Sequence, residues 1–253
     1  MKVLIVGSGG REHALSWKVS QSPKVDKVFV APGNGGTELE QQIHNINIQH
    51  NDIEALVQFA IKEGIDLTIV GPEDPLVNGI TDRFKEEGLR CFGPSKGAAQ
   101  LEGSKEFMKQ FLQNHNIPTA EYAVFSSSDA AINYVKEKGC PIVIKADGLA
   151  AGKGVTIAFT VEEAKIAINE SLESGVFGDA GKTIIIEEFL TGEEASFIVL
   201  TDGEIAIPFA SSQDHKARDD QDKGPNTGGM GAYSPAPIVN KVIHKKIMDE
   251  VIY

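Results

Sequence analysis

The chain has 253 residues, 41% of them hydrophobic, which is enough to build ordinary packed cores in one large domain or two modest ones. Its formal charge of -12 and pI near 5.0 argue against duplex DNA as a partner, because such binding rests on basic contacts with phosphates. The first apolar run, Val3 to Val6, is too short for a signal peptide and no membrane-spanning stretch follows, so the cytoplasm is the expected compartment.

Apolar runs at Val3 to Val6, Lys27 to Val30, Leu67 to Val70 and Leu89 to Phe92 alternate with helix-like segments, the rhythm of βαβ units. Asp52 caps a helix whose Ile53, Leu56, Val57 and Ala60 recur at helical spacing. The runs are predicted to be parallel strands covered by helices. Their terminal turns, Gly7 to Gly10, Pro32 to Gly36, Gly71 to Asp74 and Gly93 to Ser95, then converge on one edge of the sheet, the usual ligand edge. Ser104 is the predicted N-cap of a helix through Phe107, Met108, Phe111 and Leu112 that Pro118 cannot continue, and the first domain boundary is placed near Leu101. Beyond it, Ile142 to Ala146 and Val155 to Phe159 are predicted strands joined by the glycine loop Asp147 to Gly154, and Thr160 with Glu163 forms a capping box for the helix that follows. Further strands are predicted at Thr183 to Phe189, Ser196 to Leu200 and Ile205 to Ala210, with Thr201-Asp202-Gly203 as a hairpin turn. These belong to an antiparallel α+β layer. Ser211 to Pro237 has almost no apolar periodicity and is predicted to be one long loop, functional or disordered. Asn240 to Tyr253 reads as a helix with no closing strand or cap, so the chain is expected to be incomplete at its C-terminus. Cys91 and Cys140 have neither metal-ligand nor CxxC spacing and read as small core hydrophobes.

The segment VLIVGSGGREHAL is a strand, a glycine turn and a helix start, which gathers backbone N–H groups and a positive dipole end where an anion is expected. Three readings compete. A dinucleotide site conflicts with Glu12, which stands where GxGxxG needs its third glycine, and with a second strand that ends in Ala31-Pro32-Gly33 without a ribose-binding acid. A tight structural turn and a phosphate cradle with Arg11 as its charge remain, and the cradle is preferred. ADGLAAGKGV is one residue short of a phosphate-binding P-loop, has Gly154 in place of its Ser or Thr, and precedes a strand rather than a helix. It survives as a glycine flap whose N–H groups can cover phosphates, beside a Lys145 that is costly to bury unpaired. The carboxylates of IIIEEFLTGEEAS read as either solvated strand-end acids or site residues, and GPNTGGMGAYSPAP repeats the chemistry of an anion loop.

In this order along the whole chain, VGSGGREHAL, APGNGGT, VGPEDPL, KADGLAAGKGV, IEEFLTGEEAS, QDHK and GPNTGGMGAYSPAP resemble the phosphoribosylamine-glycine ligase family of ATP-grasp enzymes. The resemblance implies an α/β chain: an N-terminal Rossmann-like parallel-sheet domain over residues 1–101, a linker helix and ATP-grasp flap subdomain over 102–192, and the truncated start of the ATP-grasp core over 193–253. It implies ATP, glycine and phosphoribosylamine as ligands, reacting through glycyl phosphate. Charge and the lack of a spanning stretch leave nucleic acid and membrane out of the expected partners, and a monomer is the expected state. Another ATP-grasp ligase, or a nucleotide-binding fragment without turnover, is the alternative.

The resemblance also implies roles. Lys105 and Lys145 meet the ATP phosphates under a flap that includes Gly152; Glu187, Glu188, Phe189 and Leu190 line the adenine; Glu194 holds the ribose hydroxyls; and Asn226 closes on the nucleotide. Gly9, Gly10, Arg11, Pro72, Glu73 and Asp74 serve the phosphoribosylamine side, and Lys145 and Asp214 are the candidate catalytic residues. Relatives of the QDHK motif usually read QDHKR, whereas here Ala217 precedes Arg218. The Mg2+ or Mn2+ ligands of the family are expected beyond residue 253, so no metal residue is assigned in this chain.

Overall fold

The structure is a computed structural model; it describes residues 1–148, 154–221 and 223–253, with backbone alone at 179, 225 and 226. The chain divides into two units, Met1–Met108 and Lys109–Tyr253.

In the first unit, β1 (Lys2–Gly7), α1 (Gly10–Ser20), β2 (Lys27–Pro32), α2 (Gly35–Glu38), β3 (Ile43–Asn45), α3 (Ile53–Glu63) and β4 (Leu67–Val70) are followed by α4 (Glu73–Val77), α5 (Ile80–Glu86), β5 (Cys91–Phe92) and α6 (Lys96–Gly103). The strands form one parallel sheet in the order β3-β2-β1-β4-β5. Side chains of β1 alternate between two cores: Leu4 and Val6 pack with Phe29, Leu56, Val57 and Phe84, while Val3 and Ile5 pack with Val28, Val30 and Ile43. Burial on both faces is what a helix-covered parallel sheet requires. α3 begins where expected, with the Asp52 carboxylate accepting the Ala55 N–H, and stops at Gly64 in the left-handed region (φ 65). The edge strand β3 was not expected; only Ile43 of its three residues is buried, so it carries no period.

The division between the units falls within α7 (Lys105–Asn114), whose Phe107 N–H is accepted by Ser104 Oγ as the cap reading required. The second unit continues with β6 (Tyr122–Phe125), α8 (Ser128–Lys138), β7 (Ile142–Ala146), β8 (Val155–Ala158), α9 (Val161–Leu172) and β9 (Ile184–Glu188), the strands forming an antiparallel sheet in the order β6-β9-β7-β8. Ile142, Ile144, Ile184 and Ile186 bury one face against Ala131 and Val135 of α8 and Ala164 and Ile168 of α9. Strand alternation and register put Tyr122, Val143, Lys145, Val155, Ile157 and Glu187 on the opposite face. The Thr160–Glu163 box caps α9 in both directions.

The hairpin of β10 (Val199–Thr201) and β11 (Ala206–Pro208) turns on Asp202, whose carboxylate accepts the N–H groups of Glu204 and Ile205. Leu200 faces Ile207 across the ladder, Ile198 accepts the N–H of Phe209, and all four of these apolar side chains are exposed. The segment Ser211 to Pro237 corrects the expectation of one open loop. It contains β12 (Gln213–Asp214), β13 (Ala217–Asp219), β14 (Lys223–Asn226) and β15 (Ala232–Tyr233), with β12 pairing β15 and β13 pairing β14, both antiparallel. Strands this short, separated by glycine turns, leave no readable apolar period. α10 (Lys241–Ile247) then runs into a π-helical turn, Met248–Ile252, and its His244 ring meets Phe197 edge-on. No described helix is long and apolar enough to cross a membrane.

Candidate functional site

Two places gather the expected site residues, one in each unit. In the first, the chain leaves β1 for β2 and β3 on one side and returns to β4 on the other, so the carboxyl ends of β1 and β4 flank the topological switch point of the sheet. Gly9, Gly10 and Arg11 follow β1 and are exposed; Pro72, Glu73 and Asp74 follow β4. The Arg11 guanidinium lies 3.5 Å from Glu73, so the structure brings the two loops together. Asn34, capping α2 after β2, donates to the Ser8 carbonyl at 2.8 Å and ties in the third loop.

This edge already holds a carboxylate. Glu12, buried at 4% exposure in the first turn of α1, accepts the Gly9 N–H at 2.7 Å and the Arg11 Nε–H at 2.9 Å. Its side chain fills the space between Gly7 and Gly71, where a Cβ on either glycine would overlap it. Gly7 also has φ +132, a conformation side chains rarely adopt. The anion at the helix start is therefore the chain's own. That occupancy removes the room a dinucleotide pyrophosphate needs, and leaves the Gly10 and Arg11 amides for any incoming anion. The hydrogen bond to Glu12 raises the Arg11 pKa above its usual value, outweighing burial, so this cation is permanent. A separate depression of about 710 Å³ on Trp17, Val25, Leu39 and Gln41 contains none of the expected residues.

In the second unit, the sheet face away from α8 and α9 carries an ionic cluster. Lys145 of β7 and Glu187 of β9 are diagonal neighbours, and Lys145 Nζ donates to Glu187 Oε2 at 2.9 Å. Lys109 of α7, which sequence reasoning missed, lies 3.1 Å from the same oxygen and also donates to Thr119 Oγ1 and the Ala120 carbonyl. Its position inside the amphipathic helix pattern was the one available signal. Glu187 is 5% exposed, and its second oxygen, Oε1, is buried without a hydrogen-bond partner among the described residues. A buried carboxylate oxygen left unpaired is costly, so the arrangement fits a ligand that brings a donor. Beside it, the partly exposed Val155 and Ile157 offer an apolar bed, and Phe189 meets Phe159 edge-on. Of the four acids in IIIEEFLTGEEAS, Glu187 is thus a buried counter-ion while Glu188, Glu193 and Glu194 are exposed.

The remaining expected residues are placed as follows. Lys105 opens α7 and is half-buried, Glu188 accepts the Glu121 N–H, and Leu190 is exposed just past β9. Glu194 pairs with Lys216 at 2.6 Å, and that hydrogen bond raises the Lys216 pKa. Asp214 is half-buried on β12 opposite Ala232, and Asn226 lies on β14 opposite Ala217. Arg218 is held by its neighbour Asp219 at 2.8 Å. Gly152 lies outside the described residues, as does the flap from 149 to 153; the backbone beside it, Asp147, is anchored to the carbonyls of Ala180 and Thr183. Among the described residues no group of three or more His, Cys, Asp and Glu side chains is arranged to hold a metal ion.

Comparison with known proteins adds three kinds of likeness. Residues 1–102 match the phosphoribosylglycinamide synthetase N domain and residues 103–253 its ATP-grasp (A) domain. The whole chain is 61% identical to the phosphoribosylamine-glycine ligases of Vibrio parahaemolyticus and Escherichia coli, and it spans 59% of the length of each. Among solved structures, phosphoribosylamine-glycine ligase from Thermotoga maritima superposes with a TM-score of 0.77 at 31% identity, over 99% of this chain and 60% of that one. The biotin carboxylase domain of Hydrogenobacter thermophilus 2-oxoglutarate carboxylase, solved with MgADP, ADP and bicarbonate, has a TM-score of 0.78 over 99% of this chain and 56% of that one. At 17% identity this last likeness is one of fold alone.

Proposed function

The chain belongs to the phosphoribosylglycinamide synthetase family, and from that membership we propose that it forms the N-terminal, nucleotide-binding part of an ATP-dependent ligase joining glycine to 5-phosphoribosylamine in purine synthesis. The observation that carries the reading is the buried Oε1 of Glu187, without a hydrogen-bond partner among the described residues, beside Lys145 and the exposed apolar Val155 and Ile157. An ionised carboxylate only accepts hydrogen bonds, so Oε1 suits the amino group of adenine, with Val155 and Ile157 under the ring and Glu188, Phe189 and Leu190 along its edge. Lys145 and Lys105 then meet the phosphates under the flap that contains Gly152, Glu194 takes the ribose hydroxyls in exchange for Lys216, and Asn226 closes on the nucleotide. Gly9, Gly10 and Arg11 with Pro72, Glu73 and Asp74 take the phosphoribosylamine, the Gly10 and Arg11 amides and the fixed guanidinium facing its phosphate. Asp214 orients substrate.

In the first step of the proposed reaction a carboxylate oxygen of glycine attacks the γ-phosphorus, the bond to the β,γ-bridging oxygen breaks, and ADP leaves. In the second the amine attacks the acyl carbon of glycyl phosphate and gives up a proton, and the bond from that carbon to the bridging oxygen breaks, its electron pair leaving on inorganic phosphate. The lysines contribute positive charge where the phosphoryl group moves, the main demand of such transfers. Mg2+ or Mn2+ would add charge neutralisation, but the described residues supply no ligand set for it, so no step is drawn through a metal. Its ligands are assigned beyond residue 253, and this chain by itself is expected to bind nucleotide without normal turnover. We place the enzyme in the cytoplasm, acting as a monomer.

The test is Lys145→Ala, followed by calorimetry with ATP. The affinity should fall by about 1 to 3 kcal/mol, typical of hydrogen bonds to charged groups. Folding should persist because Lys109 still neutralises Glu187. Unchanged ATP affinity in a folded Lys145→Ala chain would remove Lys145 from the site.

A further inference from the structure

We infer that Lys109 is a positioning residue: it is the resident counter-ion of Glu187, and it lets Lys145 leave that carboxylate for a ligand phosphate. The inference rests on the nucleotide site proposed above. Two ammonium groups share one oxygen, Lys145 at 2.9 Å and Lys109 at 3.1 Å from Glu187 Oε2. One carboxylate needs one counter-ion, so their surroundings decide which of the two stays.

Lys109 donates two hydrogen bonds, to Thr119 Oγ1 at 2.8 Å and the Ala120 carbonyl at 3.2 Å, and it is ion-paired with Glu187 at 3.1 Å. Its Nζ also sits 5.5 Å above the Tyr122 ring, and the residue is 2% exposed. These contacts come from the segment between α7 and β6, from β6 and from β9, so Lys109 is held from several sides. Lys145 differs. Its side chain is 27% exposed, and Glu187 is its only acceptor among the described residues. It has donors to spare and room to turn.

If Lys145 were the sole partner of Glu187, turning toward a phosphate would leave a carboxylate buried and unneutralised, which is strongly unfavourable. Lys109 removes that penalty. The carboxylate keeps one short ionic contact whichever way Lys145 points. The cluster therefore divides the work: one lysine for the protein, one for the ligand.

The separation can be read with a ligand pair that differs only in phosphates. Calorimetry of ATP and adenosine is run on the 253-residue chain, on Lys109→Met, and on Lys109→Met combined with Glu187→Gln, with near-ultraviolet circular dichroism to check folding. Lys109→Met should weaken ATP by roughly tenfold, the scale of one charge-assisted hydrogen bond, and leave adenosine within about twofold. Adding Glu187→Gln should restore the ratio of the two affinities, because no carboxylate then retains Lys145. Where Lys109→Met does not fold, Lys109→Gln is read in its place, since its amide still donates to the Ala120 carbonyl. If Lys109 only packs, ATP and adenosine weaken together and their ratio stays constant, which overturns the inference while leaving the site intact. A wild-type chain that binds neither ligand overturns the nucleotide reading itself.

Discussion

At the scale of single residues, two buried carboxylates do different work. Among the described residues one Glu187 oxygen has no hydrogen-bond partner, whereas Glu12 spends both oxygens inside the protein, on the Gly9 amide and the Arg11 guanidinium. Glu12 fits only because Gly7 and Gly71 lack side chains, so Gly71→Ala should displace it and destabilise the first unit by about 1 to 3 kcal/mol, the usual cost of overpacking. Urea denaturation would measure the loss, and stability equal to wild type would show that Glu12 can move aside freely. Cys91 allows a prediction in pH. Burial, against a weaker opposing contact with Thr81, pushes its thiol from the ordinary value near 9 to about 11. A group whose pKa is raised on folding binds more protons in the native state. The stability it contributes is therefore whole below pH 9 and is lost between there and about 11. Replacing Cys91 with Ala should flatten that decline relative to wild type, as compared by denaturation at pH values inside and below the window.

At the scale of elements, helices were legible wherever a cap and a period coincided. Asp52 and the Thr160–Glu163 box announce α3 and α9, and the structure makes both sets of cap hydrogen bonds. Thr160→Ala should accordingly cost about 1 kcal/mol of stability, seen as a lowered midpoint in thermal denaturation, and Thr160→Ser should recover most of it. The parallel strands were legible for a related reason: being buried on both faces, Val3 to Val6 and Val28 to Val30 are continuously apolar. What escaped was short or shared. β3 exposes two of its three residues, and β12 to β15 are two to four residues long, too few for any period to register. In the candidate site, the lysine beside the flap and the glycine turn could be read from residue type and order. The partnership of Lys109 with Glu187 could not, because it joins α7 to β9 across most of the second unit's sequence and depends on which face of each element turns inward.

At the scale of the whole molecule, the formal charge of -12 opposes the approach of an anionic ligand, although the site itself carries lysines. Long-range repulsion is screened by salt, with a Debye length of roughly 10 Å at 0.1 M, while contact hydrogen bonds are screened far less. ATP association should therefore become faster, not slower, as ionic strength rises from low values, a reversal of ordinary steering that stopped-flow fluorescence would detect. A rate that falls with salt would mean that local positive potential dominates the encounter. The same acidity bears on the hairpin face formed by Ile198, Leu200, Ile207 and Phe209, which is exposed in this chain. Like-charged molecules in suspension are kept apart by their double layers, and that colloidal protection vanishes near pH 5.0, where the net charge reaches zero and the oily stripes of neighbouring molecules can meet. Salt that hastens nucleotide capture thins this protection too, so rapid loading and a clear solution set opposite demands on one buffer.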